Sequence, residues 1–97
     1  MATYVMLASL TDQGARTMGD LQRRLENART TFHSLGAELT QIYFAMGTYD
    51  YVVIADAPDD ETITRVALAV SGQGNVRTNT FRVFTEQEAL KLVEGLH

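Results

Sequence analysis

The sequence predicts an α+β fold with the order β-α-β-β-α-β, followed by a short terminal helix. Three observations carry this expectation: segments rich in aromatic and β-branched residues, apolar stripes at helical spacing between them, and turn chemistry at the junctions. A chain of 97 residues suits one domain, taken as 1–97, with a real but thin core.

Tyr4 to Leu10 opens the pattern as a strand that is apolar on both alternating faces. Val5 and Leu7 share one face, and Tyr4, Met6 and Ala8 the other, so the strand needs cover on both sides. Thr11-Asp12-Gln13-Gly14 breaks it with turn residues. From about Met18 the apolar positions Met18, Leu21, Leu25, Ala28, Phe32 and Leu35 step by threes and fours, the stripe of an amphipathic helix. Asp20 before Arg24, and Glu26 before Arg29, fall at ion-pair spacing on its solvated face. Gly36 is placed to end that helix in a left-handed conformation.

Leu39 to Met46 and Tyr51 to Ala57 read as strands joined by the hairpin Gly47-Thr48-Tyr49-Asp50, and are therefore antiparallel. Ala57-Pro58-Asp59-Asp60-Glu61 reads as a helix start, with carboxylates where the macrodipole favours them. Ile63, Val66, Ala67 and Val70 form the stripe of this second helix, which Ser71-Gly72-Gln73-Gly74 closes. Asn75 to Phe84 is a last strand, and Thr85-Glu86-Gln87-Glu88 opens a terminal helix through Val93.

That order is the split βαβ arrangement: a ferredoxin-like sandwich with a four-stranded antiparallel sheet and two helices on one face. Two helices cover only one face, while the middle strands are apolar on both. The uncovered face is then an exposed apolar patch in a monomer. A second copy of the chain is the expected cover, giving at least a dimer packed sheet to sheet in the manner of a dimeric α/β barrel.

Composition narrows the function classes. Hydrophobic residues make up 45% and charged residues 21%, an ordinary globular balance, and the net charge of −4 argues against direct nucleic-acid binding. The absence of cysteine excludes a thiolate nucleophile or a cysteine zinc site. The N-terminus has no basic region before its apolar run and reads as a strand, not a signal peptide. No apolar segment approaches the ~20 residues of a membrane span, so no membrane partner and a cytoplasmic location are expected.

No residue set forms a catalytic signature, and none calls for a cofactor. Tyr49 and Asp50 serve the hairpin turn, and also offer a phenol and a carboxylate at the rim of a cleft between subunits. In the last strand Thr78, Thr80 and Arg82 share one face, and Arg77, Asn79, Phe81 and Val83 the other. Phe81 and Val83 are the more core-like pair. Thr78, Thr80 and Arg82 are therefore expected on the open side of the sheet, where Arg82 binds a carboxylate or phosphate, or forms an intersubunit salt bridge. The candidate ligand-binding set is thus Tyr49, Asp50, Thr78, Thr80 and Arg82. Asp56, Asp59, Asp60 and Glu61 match no calcium loop, and the helix dipole accounts for the acids of the first turn. His33 flanks the helical stripe and His97 ends the sequence; neither has metal-ligand spacing, so no metal is expected.

The segments FAMGTYDYVVIADAPDDETITRVAL and GNVRTNTFRVFTEQE, with the opening YVMLASLTDQGAR, resemble the GYD-domain family over nearly the whole chain. The resemblance implies a ferredoxin-like fold and self-association, and no particular activity. Gly47, Tyr49 and Asp50, with Gly74, Val76, Thr78 and Thr80, are more distantly similar to the ligand-binding modules of Lrp/AsnC-type regulators. Those modules pair sheet to sheet and bind small effectors at subunit interfaces. This chain departs from them in carrying no helix-turn-helix segment and in placing Asn75 between Gly74 and Val76. The expectation is a non-catalytic homo-oligomer that binds a small molecule or a protein partner at a subunit interface. One alternative is a cofactor-free enzyme of the dimeric α/β-barrel type, monooxygenase- or isomerase-like, drawing on Tyr43, Tyr49, Tyr51, Asp50 or His33. The other is a purely structural assembly module.

Overall fold

The computed structural model describes residues 1–96; His97 lies outside the described residues. Strands β1 (Ala2–Leu10), β2 (Glu38–Phe44), β3 (Tyr51–Ala57) and β4 (Val76–Val83) form one sheet in the order β2-β3-β1-β4. Every neighbouring pair is antiparallel. Helix α1 (Asp12–Arg16) and a 3-10 turn (Met18–Asp20) follow β1, and α2 (Leu21–Ser34) leads to β2. Helix α3 (Asp60–Gly72) joins β3 to β4, and α4 (Glu86–Leu92) follows the sheet. The ferredoxin-like order expected from the sequence is the order observed.

Helices α2 and α3 cover one face. The core beneath them joins Tyr4 and Met6 of β1, Val53 and Ala55 of β3, Phe32 of α2, and Ile63 and Val66 of α3. Tyr4, Phe32 and Val66 are its largest fully buried side chains, each supplying roughly 1.5–3 kcal/mol by the usual area scale. The end of α2 follows from Gly36 at φ 93°, which lets Ala37 N–H donate to Phe32 O at 2.9 Å and close the last turn.

Helix formation begins earlier than the sequence suggests. Thr11-Asp12-Gln13-Gly14 is not a free turn: Thr11 is an N-cap whose hydroxyl accepts from Gly14 N–H at 3.1 Å. The same hydroxyl donates to Gly74 O at 2.6 Å, while Thr11 N–H donates to Asn75 O at 3.0 Å. Helix α1 is therefore pinned to the lead-in of β4, and only glycine fits at the contact. A Cβ on Gly14 would lie 2.0 Å from Asn75 O. Helix α3 also starts as a capping residue dictates. Asp59 accepts from Thr62 N–H at 2.8 Å and from its hydroxyl at 2.7 Å, so Pro58 stands before the helix and not within it.

The last strand corrects the assignment of faces. Its register pairs Ala8 with Thr78, Met6 with Thr80 and Tyr4 with Arg82, and opposed residues of an antiparallel pair share a face. Thr78, Thr80 and Arg82 therefore stand on the helix side. Arg77, Asn79, Phe81 and Val83 stand on the open side, the reverse of the sequence expectation. The physical reason is that β4 is an edge strand flanked by the polar margin of α3, where Ser71 and Thr78 hydroxyls meet at 3.2 Å. Apolarity marks the core in central strands but not along such an edge.

Two outcomes are expected. Gly14→Ala should lower stability to urea by about 1–3 kcal/mol through overpacking, while Gly19→Ala, whose Cβ meets nothing within 4 Å, should not. Equal effects would remove the assigned role of Gly14. The bonds from Thr62 hold the Asp59 carboxyl below its ordinary value of 3.8. Its contribution is complete above that unfolded value and is lost as pH falls through the lower folded one. Asp59→Asn, which still caps, should flatten the decline of Tm with pH below about pH 4; an unaltered acid limb counts against the assignment.

Candidate functional site

The face of the sheet away from the helices carries adjoining rows of apolar side chains. Val5 and Leu7 of β1 and Val52 and Ile54 of β3 form its centre, all partly exposed. Tyr43 of β2, 54% exposed, and Phe81 of β4, 44% exposed, extend it to both edges. The corrected face of β4 thus enlarges the patch. Its corners carry charge: Arg77 beside Ser9 at one, and Asp56 beside Glu38 at the one diagonally opposite.

The hairpin reaches over one end of this face. Tyr49 Oη accepts from Asn79 Nδ2 at 3.3 Å, so the ring spans from the β2–β3 turn toward β4. Asp50 has a different duty. Its Oδ2 accepts from Leu10 N–H at 2.8 Å and its own N–H donates to Ala8 O at 2.9 Å, which fastens the turn to the end of β1. Gly47 supplies the positive φ, 107°, that the turn needs.

The five candidate ligand-binding residues do not meet. Tyr49 and Asp50 lie at the hairpin, whereas Thr80 and Arg82 line a cleft of about 210 Å³ beside the N-terminus of α3. There Tyr4 Oη donates to Asp60 Oδ1 at 2.5 Å, and burial, then the Asp60 carboxylate, push the phenol pKa up. Thr80 Oγ1 is buried without a hydrogen-bond partner among the described residues. Arg82 stacks over Phe84 at 4.7 Å and lies 3.9 Å from Glu88 Oε2, so a salt bridge forms within the chain. Thr78 faces Ser71 away from this cleft.

The groups considered for catalysis are equally dispersed. His33 is exposed and bonded to Glu38 at 2.9 Å, Tyr43 is on the open face, and Tyr51 is buried on the helix face. Among the described residues no cluster of His, Asp or Glu is suited to hold a metal ion. No helix of the described chain is long and apolar enough to cross a membrane.

A second recess lies under α2, and the sequence reading missed its polar groups. Leu25 and Ala28 stand over Met6 and Val53, leaving a cavity of about 80 Å³. Arg24 turns to its mouth instead of pairing with Asp20, which binds Arg23 at 3.1 Å. The signal was available, because Arg24 falls three residues after Leu21 and four before Ala28, on the edge of the apolar stripe.

Comparison with known proteins gives three findings. The family model described as the GYD domain matches residues 4–93. A protein of Thermus thermophilus, described as a glutamine synthetase and cystathionine beta-lyase binding protein, is 31% identical over 81 residues, covering 82% of this chain and 85% of that protein. The crystal structure of MtbAldR superposes with a TM-score of 0.69 over 88% of this chain and 52% of that one, at 14% identity. The chain spans about half the length of MtbAldR, and at that identity the likeness is one of fold.

Asp50→Ala should cost about 1–3 kcal/mol in urea unfolding, because the Leu10 amide loses a charged acceptor in a partly buried place. Tyr49→Phe removes only an exposed bond and should change stability by less than about 0.5 kcal/mol. Indistinguishable midpoints for the two variants would refute this division of roles.

Proposed function

The chain belongs to the GYD-domain family, and from that premise we propose that it is a non-catalytic binding module that pairs with a second copy of itself through the helix-free sheet face. The paired module then holds a protein partner or small molecule at the subunit interface. The observation that carries this reading is the continuous apolar surface of Val5, Leu7, Val52, Ile54, Tyr43 and Phe81. Such a face in water is costly, and its burial against a like surface is favourable in proportion to apolar area.

Self-pairing is favoured over an unlike partner by the placement of charge. Arg77 and the Asp56–Glu38 corner lie at opposite ends of one diagonal. A two-fold axis along the other diagonal, in the plane of the interface, sets each Arg77 against the acid corner of the opposite copy. The terminal helix supports association too. Helix α4 buries none of its residues, and Leu90, Leu92 and Val93 are exposed on it or at its end. The protein-binding description of the Thermus relative supports a binding role, with metabolic enzymes as the class of partner. Tyr49 borders the proposed interface directly, and Asp50 borders it by fixing the turn.

Equilibrium sedimentation at micromolar concentration should give at least twice the chain mass of 10.7 kDa. Leu7→Lys places a charge at the centre of the face and should return the mass to one chain while leaving the circular dichroism of the fold intact. A native protein that sediments as a single chain overturns the proposal.

A further inference from the structure

We propose that the cavity under α2 is a binding site for a small monocarboxylate with a compact apolar body, separate from the sheet face and independent of how that face is covered. The walls set the apolar half of the ligand. Leu25, Ala28, Met6 and Val53 leave about 80 Å³, room for roughly six or seven non-hydrogen atoms on a water-sized scale.

The polar half follows from the groups at the rim, which are donors without an anionic partner. Arg24 donates to Gly14 O and Thr17 Oγ1, both at 3.1 Å, and touches the Met18 sulfur at 2.9 Å. Among the described residues no carboxylate lies within ion-pair distance of it. A partly buried cation held only by neutral acceptors is incompletely compensated. Beside it stands Tyr51, only 6% exposed, whose hydroxyl has as its acceptor the Met18 thioether at 3.9 Å, a weak one. Gln73 and Asn75 also line the recess. The Asn75 Oδ1 is occupied by Gln13 Nε2 at 3.1 Å, which leaves its amide hydrogens to donate.

A guanidinium, a phenol and two amide residues, Gln73 and Asn75, therefore line one region, and no acidic side chain does. An acceptor-only anion matches the donors, and a carboxylate suits the guanidinium hydrogens that Gly14 O and Thr17 Oγ1 do not take. The apolar walls disfavour phosphate, whose hydration is not replaced there. Burial pushes the Tyr51 pKa up against the opposing effect of Arg24, so the phenol keeps its proton for donation.

The test is an NMR titration of the full chain with 3-methylbutanoate, using 3-methylbutan-1-ol and 3-methylbutylamine as controls of the same skeleton. The carboxylate should bind saturably, at least tenfold tighter than either control, with the largest shifts at Arg24, Ala28 and Tyr51. Arg24→Gln should abolish the preference for the carboxylate, and Tyr51→Phe should weaken its binding several-fold. Ala28→Leu fills the cavity and should block binding while preserving the dispersion of the spectrum, so lost binding is separable from lost folding. No saturable shift, equal binding of all three probes, or a carboxylate preference that survives Arg24→Gln overturns the assignment.

Discussion

A four-stranded sheet has two faces, and this chain supplies long helices for one. That mismatch governs the rest of the molecule. The strands β1 and β3 occupy the centre of the sheet and carry apolar side chains on both sides. The sequence is therefore written for a sheet buried twice, while the chain alone buries it once. The core of Tyr4, Met6, Val53 and Phe32 gives the domain a reason to fold; the opposite row of Val5, Leu7, Val52 and Ile54 is left partly exposed. Both rows belong to the same strands. A one-residue slip of either would exchange the two surfaces, so the registers that specify the fold also specify which apolar row stands on the open face.

Those registers are secured at the strand ends. Asp50 fastens the hairpin to the last residues of β1, and Thr11 ties the opening of α1 to the approach of β4. Each is one polar side chain joining parts of the chain distant in sequence. Their common anchor is the end of β1, around Leu10 and Thr11, where β1 leaves the sheet between its two neighbours. The packed contact of Gly14 on Asn75 works in the same place. Fixing this corner also fixes one rim of the cavity under α2, since Asn75 and the 3-10 turn bearing Met18 are held there.

Much of this was legible in the sequence because it depends on periodicity and local backbone chemistry. The α2 stripe, the left-handed Gly36, the Gly47 turn and the acid-rich start of α3 each rest on interactions within a few residues. The uncovered apolar face was legible too, by counting helices against strand faces. The failures share a different character. Thr11–Gly14 read as a turn because threonine, aspartate and glycine serve turns and caps alike, and only the contact with Asn75 decides between them. The last strand misleads a polarity-based assignment because its apolar row, Phe81 and Val83, continues the open patch, while its polar row lies against the margin of α3. Side-chain polarity alone therefore points Thr78, Thr80 and Arg82 to the open side, whereas the register sets them on the helix side, apart from Tyr49 and Asp50.

Arg24 shows what kind of information a one-dimensional pattern lacks. Charge at ion-pair spacing is compatible with a solvated pair or with a cation turned over the edge of an apolar stripe. The choice depends on what waits on the other side. Here one carbonyl oxygen, one hydroxyl oxygen, a thioether and a buried phenol wait there, and Arg23 takes the neighbouring carboxylate. A half-buried cation without a counter-charge is retained against its desolvation cost, whereas a leucine at that position would close the gap over Tyr51. The same reasoning separates the two surfaces of the protein. The sheet face is apolar at its centre and charged only at its corners, which suits another protein surface. The recess under α2 is apolar in its walls with convergent donors at its mouth, which suits a small anion. The two surfaces thus differ in chemistry, and both follow from how the helices meet the sheet.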